Sequence, residues 1–358
     1  MHIKQIPADI LSAIRKGSVI PAHPLALTPD RKLDVPHQRA LTRYYIDAGS
    51  GGIAVGVHST QFEIRDPNVG LFEPVLRLAS ETIDEWCKAR GKAVLKIAGV
   101  CGKTEQAVRE AGFARETGFH ACLVSLGALA TESLPGLVRH CRQVAAVMPV
   151  IGFYLQPSVG GRLLPYQFWR EFAEIDNVLA IKIAPFNRYQ TLDVVRAVCE
   201  VGREAEITLY TGNDDNILVD LLTEYRIQTP KAEKKLRIVG GLLGHWAVWT
   251  RKAVEQLEEI RALTSCNALI PPSTLTLAAE ITDANAAFFD AANRFAGCIP
   301  GIHQVLQRQG LMQGTWCLNP AETLSPGQAE EIDRVYASYR HLNDDDFVRA
   351  HLKEWIEA

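Results

Sequence analysis

Two polar residues sit where apolar strands leave little room for them. Lys182 lies inside Asn177-Val-Leu-Ala-Ile-Lys-Ile-Ala-Pro-Phe186, and Tyr154 inside Val150-Ile-Gly-Phe-Tyr-Leu155. Side chains alternate along a strand, so Val178, Ala180, Lys182 and Ala184 share one face, which is small and apolar apart from the lysine. An ammonium ion without a partner there is costly, and the usual escape is a lowered pKa and a neutral amine. A neutral amine attacks carbonyl carbon. The same alternation puts Tyr154 on the face of Val150 and Gly152, a hydroxyl directed at a small-residue interior one strand earlier. Such a hydroxyl needs a hydrogen-bond partner and can carry a proton. Each residue also has a plain structural alternative: a lysine whose stem packs while its head reaches water, and a core tyrosine with a satisfied hydroxyl.

The elements that must position these residues form a series. Short apolar runs at 18–22, 52–57, 93–98, 121–125, 150–155, 178–183, 207–211 and 236–240 are separated by amphipathic stretches at 36–48, 74–90, 104–117, 134–147, 165–174, 191–201 and 215–225. Strands alternating with helices of that length predict βα units and a parallel sheet. Eight of them predict an α/β fold, the (β/α)8 TIM barrel, which typically takes about 250 residues. An open doubly wound sheet would bring a glycine-rich phosphate turn after an early strand. The early cluster Gly49-Ser-Gly-Gly52 instead precedes its strand.

On this reading residues 1–17 form an N-terminal helix that packs on the barrel floor, 18–264 the barrel, and 265–358 a C-terminal helical appendage. Helical patterns run over about 244–264, 273–296, 301–310, 326–341 and 346–357. Gly297 is expected to stop one helix and Ser325-Pro326 to start the next. The last helix, after Asn343-Asp-Asp-Asp346, reads as an arm that packs on a neighbour. Chemistry in such a barrel lies at the carboxyl ends of the strands, which is where Lys182 and Tyr154 stand.

Composition narrows the function classes. With 358 residues, 47% of them hydrophobic, the chain can bury a substantial core. Lysine and arginine number 38 against 41 acids, with no basic run, so charge gives no reason to expect a nucleic acid or an anionic membrane. No apolar stretch approaches the roughly 18 residues of a membrane span, and the first residues lack the pattern of a secretion signal, so a soluble cytoplasmic protein is expected. The eight cysteines show no Cys-x-x-Cys spacing and the ten histidines no ligand spacing. Free, mostly buried thiols are expected, with no metal site and no cofactor.

The residues around the lysine also carry a family pattern. Tyr154-Leu-Gln-Pro157 followed by Ile175-Asp-Asn-Val-Leu-Ala-Ile-Lys182 resembles the signature of the dihydrodipicolinate synthase and N-acetylneuraminate lyase family. There, a Tyr-Asn-x-Pro turn and a helix lead to a strand ending on the Schiff-base lysine. Asp47-Ala-Gly-Ser-Gly-Gly-Ile-Ala-Val-Gly56 resembles the approach to strand two, Gly212-Asn-Asp-Asp215 the turn after strand seven, and Ile238-Val-Gly-Gly241, with Gly240, the eighth strand. The resemblance spans roughly 18 to 335. It implies Lys182 as the imine-forming nucleophile, Tyr154 as proton carrier, a small 2-oxo acid as partner, and a homodimer or homotetramer.

Departures from the pattern matter equally. The family's Gly-Thr-Thr-Gly-Glu turn, which holds a 2-oxo acid carboxylate, is here Val57-His-Ser-Thr-Gln61. The resemblance therefore places substrate binding on Ser59, His58, Thr60, Gln61 and Gly240, with an imidazole able to move a proton near neutral pH. Gln61 and Arg65 could reach a polar substrate tail, Asn187, Arg188 and Tyr189 stand where the lyases read distal sugar atoms, and His245 with Trp246 follow strand eight. The synthases' second tyrosine is absent from Ser125-Leu-Gly-Ala-Leu-Ala-Thr131. Their substrate-binding arginine is Val159, leaving Arg162 as substitute. Both departures argue against dihydrodipicolinate synthesis. The expected function is a Schiff-base lyase of class I aldolase type acting on a 2-oxo acid such as pyruvate. Its rivals are an imine-dependent dehydratase or hydratase and a catalytically silent binding relative.

Overall fold

A computed structural model describes residues 1–266 and 269–358. In chain order its strands are β1 (Val19–Pro21), β2 (Gly52–Val55), β3 (Leu95–Val100), β4 (Ala121–Val124), β5 (Val150–Leu155), β6 (Val178–Ala184), β7 (Thr208–Thr211), β8 (Glu224–Gln228) and β9 (Glu233–Leu243). All except β8 are the expected strands, and each of those is followed by a helix. This is the (β/α)8 barrel predicted from the alternation, with helices after it. The described residues fall into two compact units, Met1–Ser18 with Leu95–Leu242, and Val19–Val94 with Leu243–Ala358.

In the first unit β3, β4, β5, β6, β7 and β9 pair in that order, all parallel. Side chains of β4, β6 and β7 are buried on both faces, which is why these strands read as nearly continuous apolar runs. The helix Ala8–Lys16 buries Ile10 and Ile14, and the Tyr210 hydroxyl donates to Ile14 O at 2.7 Å. Asn177, just before β6, accepts from Ile3 N at 3.0 Å.

The strand β8 departs from the sequence reading, which continued a helix to Tyr225. The helix Ile217–Leu222 stops earlier, and Glu224–Gln228 pairs antiparallel with Glu233–Arg237. Alternating Glu-Tyr-Arg-Ile-Gln and Glu-Lys-Lys-Leu-Arg around Thr229-Pro230 is a hairpin pattern, since one face packs while the other meets water.

In the second unit β1 leads into a parallel bridge between Ala22 and Ala54. The final helix Asp345–Glu357 packs on the helix Val35–Ala48 of its own chain. Trp355 is fully buried and its indole N–H donates to Asp47 at 2.8 Å. At the start of this helix, buried Asp344 accepts from the Tyr44 hydroxyl, Arg251 N and the Gln309 amide. Gly297 precedes a helix, Cys298–Arg308, whereas the preceding helix ends at Phe288. The cause is Asp290, in a left-handed turn (φ 57°), whose carboxylate accepts from Gly297 N at 2.9 Å. That carboxylate also takes the Ser325 hydroxyl, so Ser325 caps no helix with its side chain and the next helix begins at Gln328.

No helix among the described residues is long and apolar enough to cross a membrane. The eight cysteines are free and six are buried. Among the described residues no group of histidine, cysteine and carboxylate side chains has the arrangement of a metal site.

Candidate active site

Equal spacing along β5 and β6 sets Tyr154 opposite Lys182, because Val150 pairs with Val178 and both offsets are 28 residues. The structure breaks this register immediately. A bulge after Val150 pairs Ile151 with Ala180, and from there Phe153 lies opposite Lys182 and Tyr154 opposite Ile183. A slip of one residue turns a strand's side chains to the other face. Phe153 therefore shares the face of Lys182, with the ammonium nitrogen 4.3 Å from its ring centroid. Tyr154 faces the helix Tyr166–Ala173 together with Gly152, not the interior expected from alternation. Its ring centroid lies 5.2 Å from that of Trp169, and a Cβ on Gly152 would fall 2.7 Å from Phe172. The Tyr154 hydroxyl accepts from Leu164 N at 3.3 Å. Burial raises its pKa, so it remains protonated with its own hydrogen to donate.

Lys182 is buried, and its side chain lies across Gly212 of the turn after β7. A Cβ at Gly212 would stand 2.6 Å from Lys182 Cε and 2.7 Å from the Ala184 Cβ, so only glycine leaves the channel the lysine occupies. Desolvation lowers the lysine pKa to about 8, with the buried Asp214 carboxylate pulling the other way. Near pH 7 roughly a tenth of a group with that pKa is neutral, against about three in ten thousand for an ordinary lysine. The gain in nucleophile is roughly 300-fold and comes from burial alone. Because the attacking form is the deprotonated one, the rate of imine formation is expected to climb about tenfold per pH unit up to roughly pH 8 and then level off. Stopped-flow or quench measurements across pH 6–10 read this, and a rate still climbing steeply at pH 10 would show the lysine unperturbed.

The turn that carries Gly212 and Asp214 is held from beneath. Asp220 is 1% exposed and accepts from the Thr211 hydroxyl (2.7 Å), the Asn213 amide (2.9 Å), the Asn216 amide (2.9 Å) and Arg188 (2.7 Å). Asn213 in turn accepts from Phe186 N at 3.0 Å, fixing that residue in a left-handed conformation (φ 53°) just past β6. Arg188 is thus tied to carboxylates of its own unit, Asp220 and Asp215. Asn187 caps the helix Arg188–Val201 by accepting from Tyr189 N and Gln190 N, and Tyr189 is largely exposed. Sequence reading missed Phe153 as the lysine's neighbour and Asp214 as its counter-charge. The Gly212-Asn-Asp-Asp215 turn was the available signal for Asp214.

In the second unit the residues after β2 form two successive 3-10 turns, His58–Thr60 and Phe62–Arg65, joined at Gln61 (φ 68°). Thr60 is fully buried and holds the turn: its hydroxyl donates to His23 O at 2.7 Å and accepts from Gly56 N and Val57 N. Gln61 is also buried, its amide oxygen taking Leu318 N at 2.6 Å. Ser59 donates to Ala22 O at 2.9 Å and keeps acceptor lone pairs, while His58 is partly exposed. Arg65 donates to Gly56 O at 3.0 Å and stacks on Phe72. His245 and Trp246 are buried, His245 stacking on Phe288. In the first unit, a Cβ on Gly240 would meet the Ser18 backbone at 2.5 Å and the Tyr210 ring at 2.7 Å, so close packing accounts for that glycine.

Arg162, the sequence's candidate for holding a second substrate carboxylate, is anchored to the backbone through Nη1. Its guanidinium donates to Leu129 O and Glu132 O, tying the segment after β4 to the segment after β5.

Comparison with known proteins agrees with this architecture. Residues 16–223, well over half of the chain, match the model of the dihydrodipicolinate synthetase family. A 4-hydroxy-tetrahydrodipicolinate synthase of Methylococcus capsulatus is 28% identical over 202 residues, 56% of this chain and 64% of that protein. The same enzyme of Moorella thermoacetica is 26% identical over 211 residues, 58% of this chain and 66% of that protein. The chain thus matches a little under two thirds of the length of these relatives. Among solved structures, a prophage protein of the dihydrodipicolinic acid synthase family from E. coli K12, in complex with pyruvate, superposes with a TM-score of 0.71 at 18% identity, covering 92% of this chain and 99% of that one. CdNal from Clostridium difficile, in complex with mannosamine, does so with a TM-score of 0.68 at 14% identity, covering 90% and 99%. At these identities the structural likeness speaks to the fold.

Proposed function

Because the chain belongs to the dihydrodipicolinate synthetase family, we propose that it is a lyase of class I aldolase type that joins Lys182 to a 2-oxo acid such as pyruvate through an imine. The observation that carries this reading is the buried amine of Lys182, lowered to about pKa 8 and laid across Gly212 on the strand where the family keeps its nucleophile. Neutral Nζ adds to the ketone carbon, the carbinolamine loses water, and the protonated imine accepts the electron pair of the C3–C4 bond as that bond breaks. In the forward sense the imine loses a C3 proton, and the enamine carbon adds to an aldehyde. Water then releases the product and restores the amine.

Tyr154 is proposed as the proton carrier for the carbinolamine and the alkoxide on the family resemblance, a role that requires its protonated hydroxyl to turn from Leu164 N toward the Lys182 face. Carboxylate binding is assigned on the resemblance to the turn after β2. There Ser59 donates its hydroxyl hydrogen to Ala22 O and would have to turn it toward a substrate carboxylate with His58 beside it, Thr60 donates to His23 O, and Gln61 gives its oxygen to Leu318 N. A homodimer or homotetramer belongs to the same reading and is measured by light scattering. The experiment that tests the function is borohydride reduction in the presence of pyruvate and a panel of other 2-oxo acids, followed by peptide mass mapping. An adduct on Lys182 supports the reading, and no adduct with any member of the panel removes it. Tyr154→Phe is expected to lower turnover by about 10²- to 10⁴-fold while leaving some activity, as for loss of a general acid–base group. A loss under tenfold would leave the hydroxyl only as a brace for Leu164.

A further inference from the structure

The strand that the barrel does not use carries an open edge. β8 pairs with β9 along one side only, and its hairpin begins where the family match ends, at residue 223. Across the turn Pro230-Lys231, Thr229 N donates to Ala232 O at 3.1 Å. Hydrogen-bonded pairs alternate along an antiparallel ladder, so Tyr225 and Ile227 turn their main-chain groups toward β9 while Glu224, Arg226 and Gln228 turn theirs outward. Among the described residues no main-chain group of another segment meets those outward N–H and C=O groups. An edge left in that state is a template for another strand.

The side chains along the edge select which strand. Glu224, Arg226, Glu233, Lys235 and Arg237 share one face of the ribbon, and Arg226 is 63% exposed. Opposite charges facing each other on neighbouring strands attract and like charges repel. A second β8 laid antiparallel about a two-fold axis pairs more than one outward residue when the axis passes through Tyr225, Arg226 or Ile227. An axis through Arg226 sets the two guanidinium groups against each other. One through Ile227 sets Arg226 against Gln228 and leaves Glu224 without a cation. An axis through Tyr225 sets Glu224 of each copy against Arg226 of the other, and each such pair exchanges both of its main-chain hydrogen bonds. Charges on an edge usually ward off a second strand. In this register they match it.

We propose that the open edge of β8 is a self-association site whose occupant is β8 of a second copy of this chain, paired antiparallel about Tyr225. The contact is separate from the homo-oligomer implied by the family resemblance, because it is made by a strand outside the barrel. A pair of five-residue strands buries less than the roughly 1,200 Å² of a stable interface, so the association is expected to be weak and dependent on concentration.

Analytical ultracentrifugation of the full chain from about 5 to about 500 μM tests this, a range in which a small interface populates both states. The expected result is a weight-average mass that climbs toward double its value at the lowest concentration, whatever assembly it starts from. Arg226→Pro removes an outward N–H and the guanidinium while sparing the ladder to β9, since proline is accepted on the open side of an edge strand. It is expected to weaken the association at least about tenfold, through the hydrogen bonds lost on both sides of the axis. Amide exchange on the unaltered protein gives a reading that does not depend on how the variant folds: peptides spanning 223–229 should exchange more slowly at the upper concentration than at the lower. A mass independent of concentration overturns the proposal, as does a rise that Arg226→Pro leaves unchanged, or exchange in 223–229 that ignores concentration.

Discussion

Lys182→Met is expected to abolish borohydride-dependent incorporation of pyruvate, to below detection, while leaving the fold intact. Methionine fills nearly the same channel over Gly212 without an amine, so packing against Phe153 and Ala184 is kept and only the nucleophile is lost. The sign of the stability change separates chemistry from structure. The lysine pKa is lowered in the folded chain, so the folded state binds the proton less well than the unfolded one. The resulting penalty is fully present below about pH 8 and fades as pH rises from there toward the ordinary lysine value. Near pH 7 the methionine variant should therefore melt no lower than the parent, with the gain limited by the partner that Asp214 loses. A structural salt-bridge lysine would behave oppositely, lowering the melting temperature on removal. Mass mapping after reduction, paired with thermal denaturation, reads both effects. Pyruvate still trapped on the variant would place the nucleophile elsewhere.

Asp220→Ala is expected to cost roughly 2–5 kcal/mol of stability, because it strands the buried donors of Thr211 and Asn213 at about 1–3 kcal/mol each. Arg188 is 40% exposed and keeps its water, so its ion pair adds little to that figure. The same change loosens Asn213, which fixes Phe186 after β6 and neighbours Gly212 and Asp214 after β7. Imine formation should slow as well, since the lysine's channel and its counter-charge both sit on this turn. Urea denaturation gives the first quantity and the trapping rate the second. A loss below 1 kcal/mol would mean that water replaces the carboxylate without strain, and the turn would then need another explanation for its rigidity.

Much of the fold was legible because its signals are local. A parallel strand buried on both faces must be apolar along its length, so β4, β6 and β7 stood out as runs, and helices of 10 to 20 residues between them implied the barrel. The hairpin of β8 and β9 was equally legible in principle, but the helical reading of 215–225 ran into its first two residues and the alternation on either side of Thr229-Pro230 was passed over. The place of the C-terminal helix was open for a different reason. Its apolar Val348 and Trp355 declare that a face must be covered, yet nothing local says whether a neighbour or the chain's own helix Val35–Ala48 covers it.

By itself the sequence determined the barrel class, the strand that holds the lysine and the apolar surroundings that depress its pKa. These depend on residue types within a few positions of one another, and hydrophobic burial acts on them wherever the strand is placed. The neighbours of the lysine were decided only in the tertiary structure. The 28-residue spacing of Tyr154 and Lys182 implies that they share a face, but the bulge after Val150 substitutes Phe153 and turns Tyr154 toward Trp169. Likewise Arg162 is a loop cation without an address in the sequence and is anchored through Nη1 to two carbonyl groups in the fold. Register and hydrogen-bond partners are settled between segments far apart in the chain, where a shift of one residue exchanges every neighbour and leaves composition and periodicity unchanged.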